Sequence, residues 1–336
     1  IIMALTAQLI PIVQVGAVET DSVEECRETI DMGETPWKFM GSDVDPETAK
    51  QIDYDDSSWQ NVGIPHCFND MDTFTNTKNV SFYKGTVWYR KTFTMDASYE
   101  GKKVFLEFEG VNLGAAVYVN GVFKPGNTEV EQPDEVTHVG GFLPFTLDIT
   151  DDLNYGGENV IAVRVSNANG SFFTWPGFGV KNDFGMDYGG IVCPVYMHIT
   201  NPVHIPSDVY SPIEKWGAYI ATLSADEEQA EVAVQTNVEN ESGESQRVTL
   251  TTQIVDADGA VVWEKSEDAD IDPGEIRMFD QRAIVEDPTL WYPNASIYGT
   301  PYLYKVYSIV KTGGVTVDVY ENTLGIRTID WDTDYC

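Results

Sequence analysis

The sequence predicts an all-β protein built from two sandwich-type domains. From Thr29 onward, short runs rich in β-branched and aromatic residues alternate with glycine, proline, asparagine and aspartate, and helical periodicity is not sustained over ten residues. Pro202, Pro206 and Pro212 interrupt this pattern and separate two series of such runs. With 336 residues, the chain is long enough for two domains with separate cores.

The first series contains six predicted strands at the spacing of a sandwich or barrel. Asn120-Gly121 separates two short apolar runs and predicts a tight hairpin, because this dipeptide adopts the positive φ angles of a two-residue turn. The polar segment Asp45–Trp59 is predicted to be a covering loop. The predicted strands are Val87–Met95, Lys103–Glu109, Ala115–Asn120, Thr146–Ile149, Asn159–Asn167 and Val195–Thr200.

The second series is spaced like the strands of an immunoglobulin-type sandwich. Asp256–Gly259 predicts a turn between two apolar runs. We therefore place the first domain at residues 29–206 and the second at residues 207–324. The predicted strands of the second domain are Tyr219–Leu223, Glu231–Val238, Arg247–Val255, Ile276–Ile284, Tyr302–Val310 and Val315–Leu324.

Residues 1–28 form a separate N-terminal segment whose first eighteen residues carry no charge. They resemble the apolar core of a secretory signal, and Val15 and Ala17 fit the small-residue rule before a cleavage site. No basic segment precedes the run and Pro11 interrupts it, so an apolar strand or tail is the alternative. We expect an extracellular or bacterial periplasmic location, with a cytoplasmic location as the alternative.

The charge of the chain restricts its partners. With 20 basic and 54 acidic residues, the net charge is −34. Such a field repels the phosphates of nucleic acids and anionic lipid head groups, so we expect no nucleic-acid partner. The binding of a neutral ligand such as a sugar is not opposed by this field.

The stretch Phe172–Pro194 is the candidate binding loop. It holds six aromatic residues, several glycines and two carboxylates between two β-type runs. Carboxylates accept hydrogen bonds from sugar hydroxyls, and aromatic faces pack on pyranose rings. The candidate substrate-binding residues are therefore Trp175, Asp183, Asp187 and Tyr188. Alternatively, the aromatics cover a sandwich edge and the aspartates are turn residues.

No complete catalytic or metal site is predicted from the residues. The four histidines have no metal-ligand spacing, the four cysteines stand far apart, and no nucleophile or nucleotide motif occurs. Asn240-Glu241 resembles an acid/base dipeptide, but it lies in the acidic stretch Asn237–Glu244, which is predicted to be a solvated hairpin tip. We predict no catalytic residue, no metal and no cofactor in this chain.

Ten short segments of the chain together form a recognisable pattern. They are Asp55–Trp59, Ile64–His66, Trp88–Phe93, Val117–Gly121, His138–Ile149, Tyr188–Ile191, Pro194-Val195, Leu290–Pro293, Pro301–Tyr304 and Gly325–Arg327. Taken in this order, the segments resemble family 2 glycoside hydrolases. The part from Trp37 to Val195 resembles the amino-terminal jelly-roll domain of β-galactosidases and β-glucuronidases, and Trp216–Leu324 resembles the immunoglobulin-like domain that follows it.

The resemblance implies that the catalytic residues lie outside this chain. In the family, the sequence after Gly-Ile-Arg opens a (β/α)₈ barrel that supplies both catalytic glutamates, and here only nine residues follow Arg327. Residues 325–336 are thus expected to begin a barrel, and the chain alone is expected to be inactive. An aspartate of the first domain touches the sugar in the family. Asp183 matches it best, with Asp187 as the second candidate.

The expected substrate is a β-galactoside or a related oligosaccharide. The net charge disfavours capture of an anionic glucuronide, so we expect a β-galactosidase-like parent rather than a β-glucuronidase. The missing barrel would be a partner within the same chain. The full-length protein is also expected to be able to form a homo-oligomer. A stand-alone pair of carbohydrate-binding modules and a structural protein of stacked sandwiches remain the alternatives from other classes.

Overall fold

The computed structural model describes residues 26–69, 83–126, 135–141, 143–167, 188–207 and 217–329, which form two β-sandwiches. This confirms the predicted all-β class of a jelly-roll-type sandwich followed by an immunoglobulin-like sandwich. Within the described residues, no helix is both long and apolar enough to cross a membrane.

Among the described residues, the first sandwich consists of thirteen short strands in two facing sheets and a two-stranded ribbon. The strands are β1 (Glu28–Asp31), β2 (Trp37–Met40), β3 (Gln60–Val62), β4 (Thr86–Thr94), β5 (Lys103–Phe108), β6 (Val111–Asn112), β7 (Gly114–Val119), β8 (Val122–Lys124), β9 (His138–Val139), β10 (Phe145–Asp148), β11 (Glu158–Ser166), β12 (Gly190–Ile191) and β13 (Val195–Thr200), with one short helix, α1 (Pro46–Ala49). One sheet has the order β1-β13-β5-β10. The other has the order β3-β2-β4-β11-β7-β8, with β9 beside β7, and β6 pairs with β12.

The two sheets enclose one apolar core. Its largest side chains are fully buried and include Trp37, Phe108, Leu106, Ile161 and Met197. Alternate residues of β4, β7 and β11 face this core, as the side-chain period of two in a β-strand requires.

A second layer covers the outer face of the larger sheet. The predicted covering loop contains α1, which Asp45 caps by accepting a hydrogen bond from the Glu47 amide. Two side chains of β4 hold this layer: Arg90 donates to Asp56 of the loop at 2.9 Å, and the Trp88 indole donates to Asp43, just before the loop, at 2.9 Å. The sheet is therefore buried on both faces in this region.

The second sandwich packs two four-stranded sheets. Its strands are β14 (Val203–His204), β15 (Ala218–Ala225), β16 (Gln229–Asn240), β17 (Gln246–Val255), β18 (Val261–Ile271), β19 (Ile276–Glu286), β20 (Tyr304–Thr312) and β21 (Val315–Leu324). In one sheet β16 pairs with β14 and β15 along one edge and with β19 along the other. The other sheet has the order β18-β17-β20-β21.

Two predicted turns occur where the sequence places them. Asn120 and Gly121 have φ angles of 50° and 85° and join β7 to β8, and Gly259 has a φ of 87° in the turn between β17 and β18. The strands flanking both turns pair in antiparallel register, so both hairpin predictions are confirmed.

The change from one sandwich to the other lies earlier than the sequence indicates. β14 falls within residues 29–206 but pairs with β16, so Val203 and His204 belong to the second sandwich. At the other end, Ile326 is fully buried in the second core, and its carbonyl accepts a hydrogen bond from the Trp291 amide at 2.8 Å. Residues 325–327 therefore pack with the second sandwich.

A buried ion pair connects the two sandwiches. Arg27, next to β1, donates to both carboxylate oxygens of Asp318 in β21, at 3.1 and 2.8 Å. Asp318 is fully buried and also accepts from the Ile205 amide at 2.7 Å. The Arg27 guanidinium lies over the Tyr320 ring at 4.9 Å. Because both charges are withdrawn from water, each depends on the other.

Removing one partner of this pair should destabilise the protein. We expect Arg27→Met to lower the free energy of unfolding by about 3 kcal/mol, because the Asp318 charge is left buried without its partner. Urea unfolding followed by circular dichroism measures the change. The control is Arg247→Gln, whose ion pairs are exposed and should contribute less than about 1 kcal/mol. Equal losses of unfolding free energy in the two variants would contradict the inference that the buried pair stabilises the protein more than an exposed pair does.

Candidate functional site

The predicted binding loop is described only at its two ends. Trp175, Asp183 and Asp187 lie outside the described residues, so their placement stays a prediction. Tyr188 is described, and it lies two residues before β12. The candidate site is therefore built from the framework that carries this loop.

A network of buried amides forms that framework. The Asn69 side-chain oxygen accepts hydrogen bonds from the Gly189 amide at 2.8 Å and from the Asn167 side chain at 3.1 Å. The side-chain nitrogens of Asn69 and Asn167 both donate to the Tyr83 carbonyl at 3.0 Å. Both asparagines are buried. Such a network is costly to disturb, since a lost partner leaves another buried polar group unsatisfied.

The four members of this network flank two stretches of the chain. Asn69 and Tyr83 bracket residues 70–82, and Asn167 is followed at once by residues 168–187, which lead through Tyr188 to Gly189. Both stretches therefore begin and end at the same buried network. The predicted sugar-contacting residues are on the second of them.

Two glycines let the backbone close this framework. The His66 amide donates to the Ile191 carbonyl at 2.7 Å, and the Phe68 amide donates to the Gly189 carbonyl at 2.9 Å. A Cβ on Gly189 would lie 2.2 Å from the Phe68 ring. A Cβ on Gly190, whose φ is 141°, would lie 2.2 Å from the His66 carbonyl oxygen. Only glycine permits this close approach.

An imidazole and a phenol lie beneath the glycines. His66 Nδ1 and the Tyr89 hydroxyl are 2.8 Å apart, and both rings pack edge-on against each other and near Phe39. Burial raises the pKa of Tyr89 far above its ordinary value. The phenol therefore keeps its proton at neutral pH and can donate it to the imidazole nitrogen.

Tyr188 is held through its backbone and is half-buried. Its carbonyl accepts a hydrogen bond from the Asn112 side chain at 2.5 Å. Burial raises the pKa of Tyr188, and the nearby thiols of Cys193 and Cys67 raise it further. The Tyr188 hydroxyl is thus neutral near pH 7 and able to donate a hydrogen bond to a ligand.

The described groups of this site suit recognition rather than bond cleavage. Amides, phenols and an imidazole bind sugar hydroxyls, whereas glycoside hydrolysis needs a pair of carboxyl groups. The substrate-binding role of Tyr188 stays a prediction, and Asn69, Asn167 and His66 were not among the predicted site residues. Only the Ile64–His66 motif signalled one of them, because an isolated asparagine near a strand end reads as an ordinary turn residue.

Comparisons with protein families identify both sandwiches. Residues 43–191 match the model described as glycosyl hydrolases family 2, sugar binding domain. Residues 216–327 match the model described as glycosyl hydrolases family 2. Each matched range lies within one of the two sandwiches of the structure.

Individual relatives cover nearly all of this chain. A β-glucuronidase of Formosa agariphila is 37% identical over 89% of the chain and 29% of the relative. A β-galactosidase of Bacteroides ovatus is 29% identical over 94% of the chain and 34% of the relative. The solved structure of a family 2 β-glucuronidase superposes with a TM-score of 0.78 at 34% identity, over 91% of this chain and 31% of that one.

The chain spans about a third of the length of the curated relatives it matches. The resemblance inferred from sequence motifs is thereby confirmed. The chain belongs to glycoside hydrolase family 2 and contains the family's sugar-binding domain followed by its immunoglobulin-like domain.

Proposed function

We propose that this chain forms the non-catalytic part of a retaining exo-β-glycosidase and supplies one wall of its sugar pocket. The observation that carries this proposal is the buried amide network of Asn69 and Asn167. It anchors both ends of the stretch that holds Asp183 and Asp187. A loop fixed at both ends loses less conformational entropy when it binds a ligand.

The bond-breaking carboxylates belong to a catalytic barrel outside this chain in our proposal. A retaining mechanism needs an acid/base and a nucleophile with carboxyl groups about 5–5.5 Å apart. The short length of this chain relative to its relatives supports a further domain in the parent protein. In this arrangement, the barrel forms the floor of the pocket and the loop after Asn167 forms part of its rim.

For the sugar, we propose a terminal β-glucuronide as the first candidate and a β-galactoside as the second. The more similar of the two relatives described above is named a β-glucuronidase, which favours the first. The net charge of −34 favours the neutral galactoside. Exposed charges more than about 8 Å apart are largely screened at physiological ionic strength, so we give the global charge less weight.

The direct test compares this chain with its full-length parent. We expect the parent to hydrolyse a p-nitrophenyl β-glucuronide or β-galactoside and the isolated chain to hydrolyse neither. The ratio of kcat/KM for the two substrates decides between the sugars. Turnover by the isolated chain would contradict the proposal that the catalytic carboxylates lie elsewhere.

Asp183 is the residue of this chain that we propose contacts the sugar. In the full-length parent, Asp183→Ala should lower kcat/KM by about tenfold or more, because a carboxylate hydrogen bond to a sugar hydroxyl is lost. Asp187→Ala is the matched comparison in the same stretch. A loss of kcat/KM confined to Asp187→Ala would assign the sugar contact to Asp187 instead. Unchanged kinetics in both variants would leave the aspartates as turn residues.

The glycine contact beneath the loop should be intolerant of a side chain. We expect Gly189→Ala to lower the free energy of unfolding by about 1–3 kcal/mol, because the new Cβ overlaps the Phe68 ring. Thermal unfolding measures this effect. Gly243→Ala is the matched control, since a Cβ there meets no atom within 4 Å. A stable Gly189→Ala protein would show that the backbone approach is not obligatory.

A further inference from the structure

Four polar side chains form a layer inside the second sandwich. They come from β16, β17, β19 and β20, which are two strands of each sheet. Each of the four residues is at most 1% exposed, so the layer lies in the interior. Polar side chains are uncommon at such depth unless they are hydrogen-bonded. We call this group the polar layer: Thr236, Thr252, Gln281 and Ser308.

The polar layer separates two apolar clusters of the same core. On each of the four strands, the residue two positions away on one side belongs to one cluster, and the residue two positions away on the other side belongs to the second. Residues two apart in a strand face the same way, so the polar side chains face into the sandwich. The flanking pairs are Val234 and Val238, Ile254 and Leu250, Ala283 and Phe279, and Val306 and Val310.

The polar layer extends from one sheet to the other. Thr252 and Ser308 are paired across β17 and β20, and the Ser308 hydroxyl lies 3.3 Å from the hydroxyl of Thr236 in the facing sheet. Gln281 lies opposite Val234, and Thr236 is two residues further along β16. Gln281 and Thr236 are therefore diagonal neighbours on the inner face of their sheet.

Three atoms of the polar layer have no hydrogen-bond partner among the described residues. They are the amide nitrogen and the amide oxygen of Gln281 and the hydroxyl oxygen of Thr252. An amide nitrogen needs an acceptor, an amide oxygen needs a donor, and a hydroxyl serves as either. Withdrawing these groups from bulk water without a new partner is costly, so such groups in folded proteins are bonded to protein or to ordered water.

Two buried asparagines show how this protein satisfies an amide at the same depth. Asn159 and Asn240 are both 0% exposed. The Asn240 side chain donates to the carbonyls of Glu244 and Ile271 and accepts from the Ser242 amide. The Asn159 side chain likewise both donates and accepts. The Gln281 amide does neither with any described residue, which indicates a partner that is not a protein group.

The chemistry of the polar layer suits water as that partner. Its groups are hydroxyls and one amide, all uncharged, and together they need a ligand that both donates and accepts hydrogen bonds. A buried water molecule makes two to four such bonds to polar groups that have no other partner. Small side chains adjoin the unsatisfied groups and leave space beside them: Ser308 is paired with Thr252, and Ala283 follows Gln281 on the inner face of β19.

We propose that the polar layer binds internal water, with one molecule bridging the Gln281 amide and the Thr252 hydroxyl. Thr252 belongs to β17 and Gln281 to β19, so this water joins the two sheets where their apolar contact is interrupted. It is thus a structural part of the second sandwich. The inference is independent of the proposed function, because none of these residues belongs to the loop framework.

Oxygen-17 magnetic relaxation dispersion of this chain in solution tests the proposal, because it counts water molecules that stay bound inside a protein. The test variant combines Thr252→Val with Gln281→Met, which replaces both polar groups by apolar ones of similar size. We expect it to hold at least one long-lived water molecule fewer than the wild type. The control variant, Gln229→Met with Thr323→Val, changes exposed residues and should keep the wild-type number. Equal numbers in all three proteins would overturn the proposal.

A crystal structure of the wild-type chain locates the water directly and decides the question if the test variant does not fold. Circular dichroism checks the folding of both variants. Electron density for a water molecule within about 3.2 Å of both Gln281 and Thr252 supports the site. A direct hydrogen bond between Gln281 and a hydroxyl of the polar layer, with no such water, overturns it.

Discussion

The arrangement of the candidate site depends on the close contact between residues 66–68 and residues 189–191. Two backbone hydrogen bonds hold these segments together, and glycines at 189 and 190 are what allow them to approach. The buried side chains of Asn69 and Asn167 then complete the hydrogen bonds of the joint. The geometry of a binding site on loops is only as well defined as the structure that holds the ends of those loops. Here the frame is made of backbone and buried amides, so it does not rely on exposed side chains.

The sequence predicts the strands of this protein well and its buried polar groups poorly. Strand prediction succeeds because alternation and turn residues are local signals, as at Asn120-Gly121, whose positive φ angles match the tight hairpin. The amide network is not predictable in the same way. Asn69 and Asn167 are far apart in the chain and acquire their role only when the fold brings them together. The Gly189-Gly190 pair is visible in the sequence as part of a motif, but the reason for it, the close approach of His66 and Phe68, exists only in the tertiary structure.

The region around Asn240 is a second place where sequence patterns fail to predict buried polar groups. The prediction of a solvated hairpin tip over residues 237–244 is wrong for its first half, because Asn237 to Asn240 are buried at the end of β16. Asn240 donates to the carbonyls of Glu244 and Ile271, so it organises the turn from inside. Acidic composition suggested solvent, but β14 pairs with this end of β16 and covers it. Pairing between strands that are not neighbours in the sequence leaves no local pattern in either strand.

The loop framework and the domain junction are the two ends of one continuous stretch. The chain leaves the framework through β12, crosses the first sandwich as β13 and arrives at the junction as β14. β13 alone spans about 20 Å at the usual rise of a strand. It is clamped between β1 and β5 on its two edges, so it cannot bend freely. At its far end, Asn201 donates to the Val317 carbonyl of the second sandwich and accepts from Lys102 of the first. Together with the Arg27–Asp318 pair, these contacts fix the second sandwich to the strand that carries the framework. The framework around Gly189 is therefore joined to the junction of the sandwiches by a strand that is paired along both of its edges.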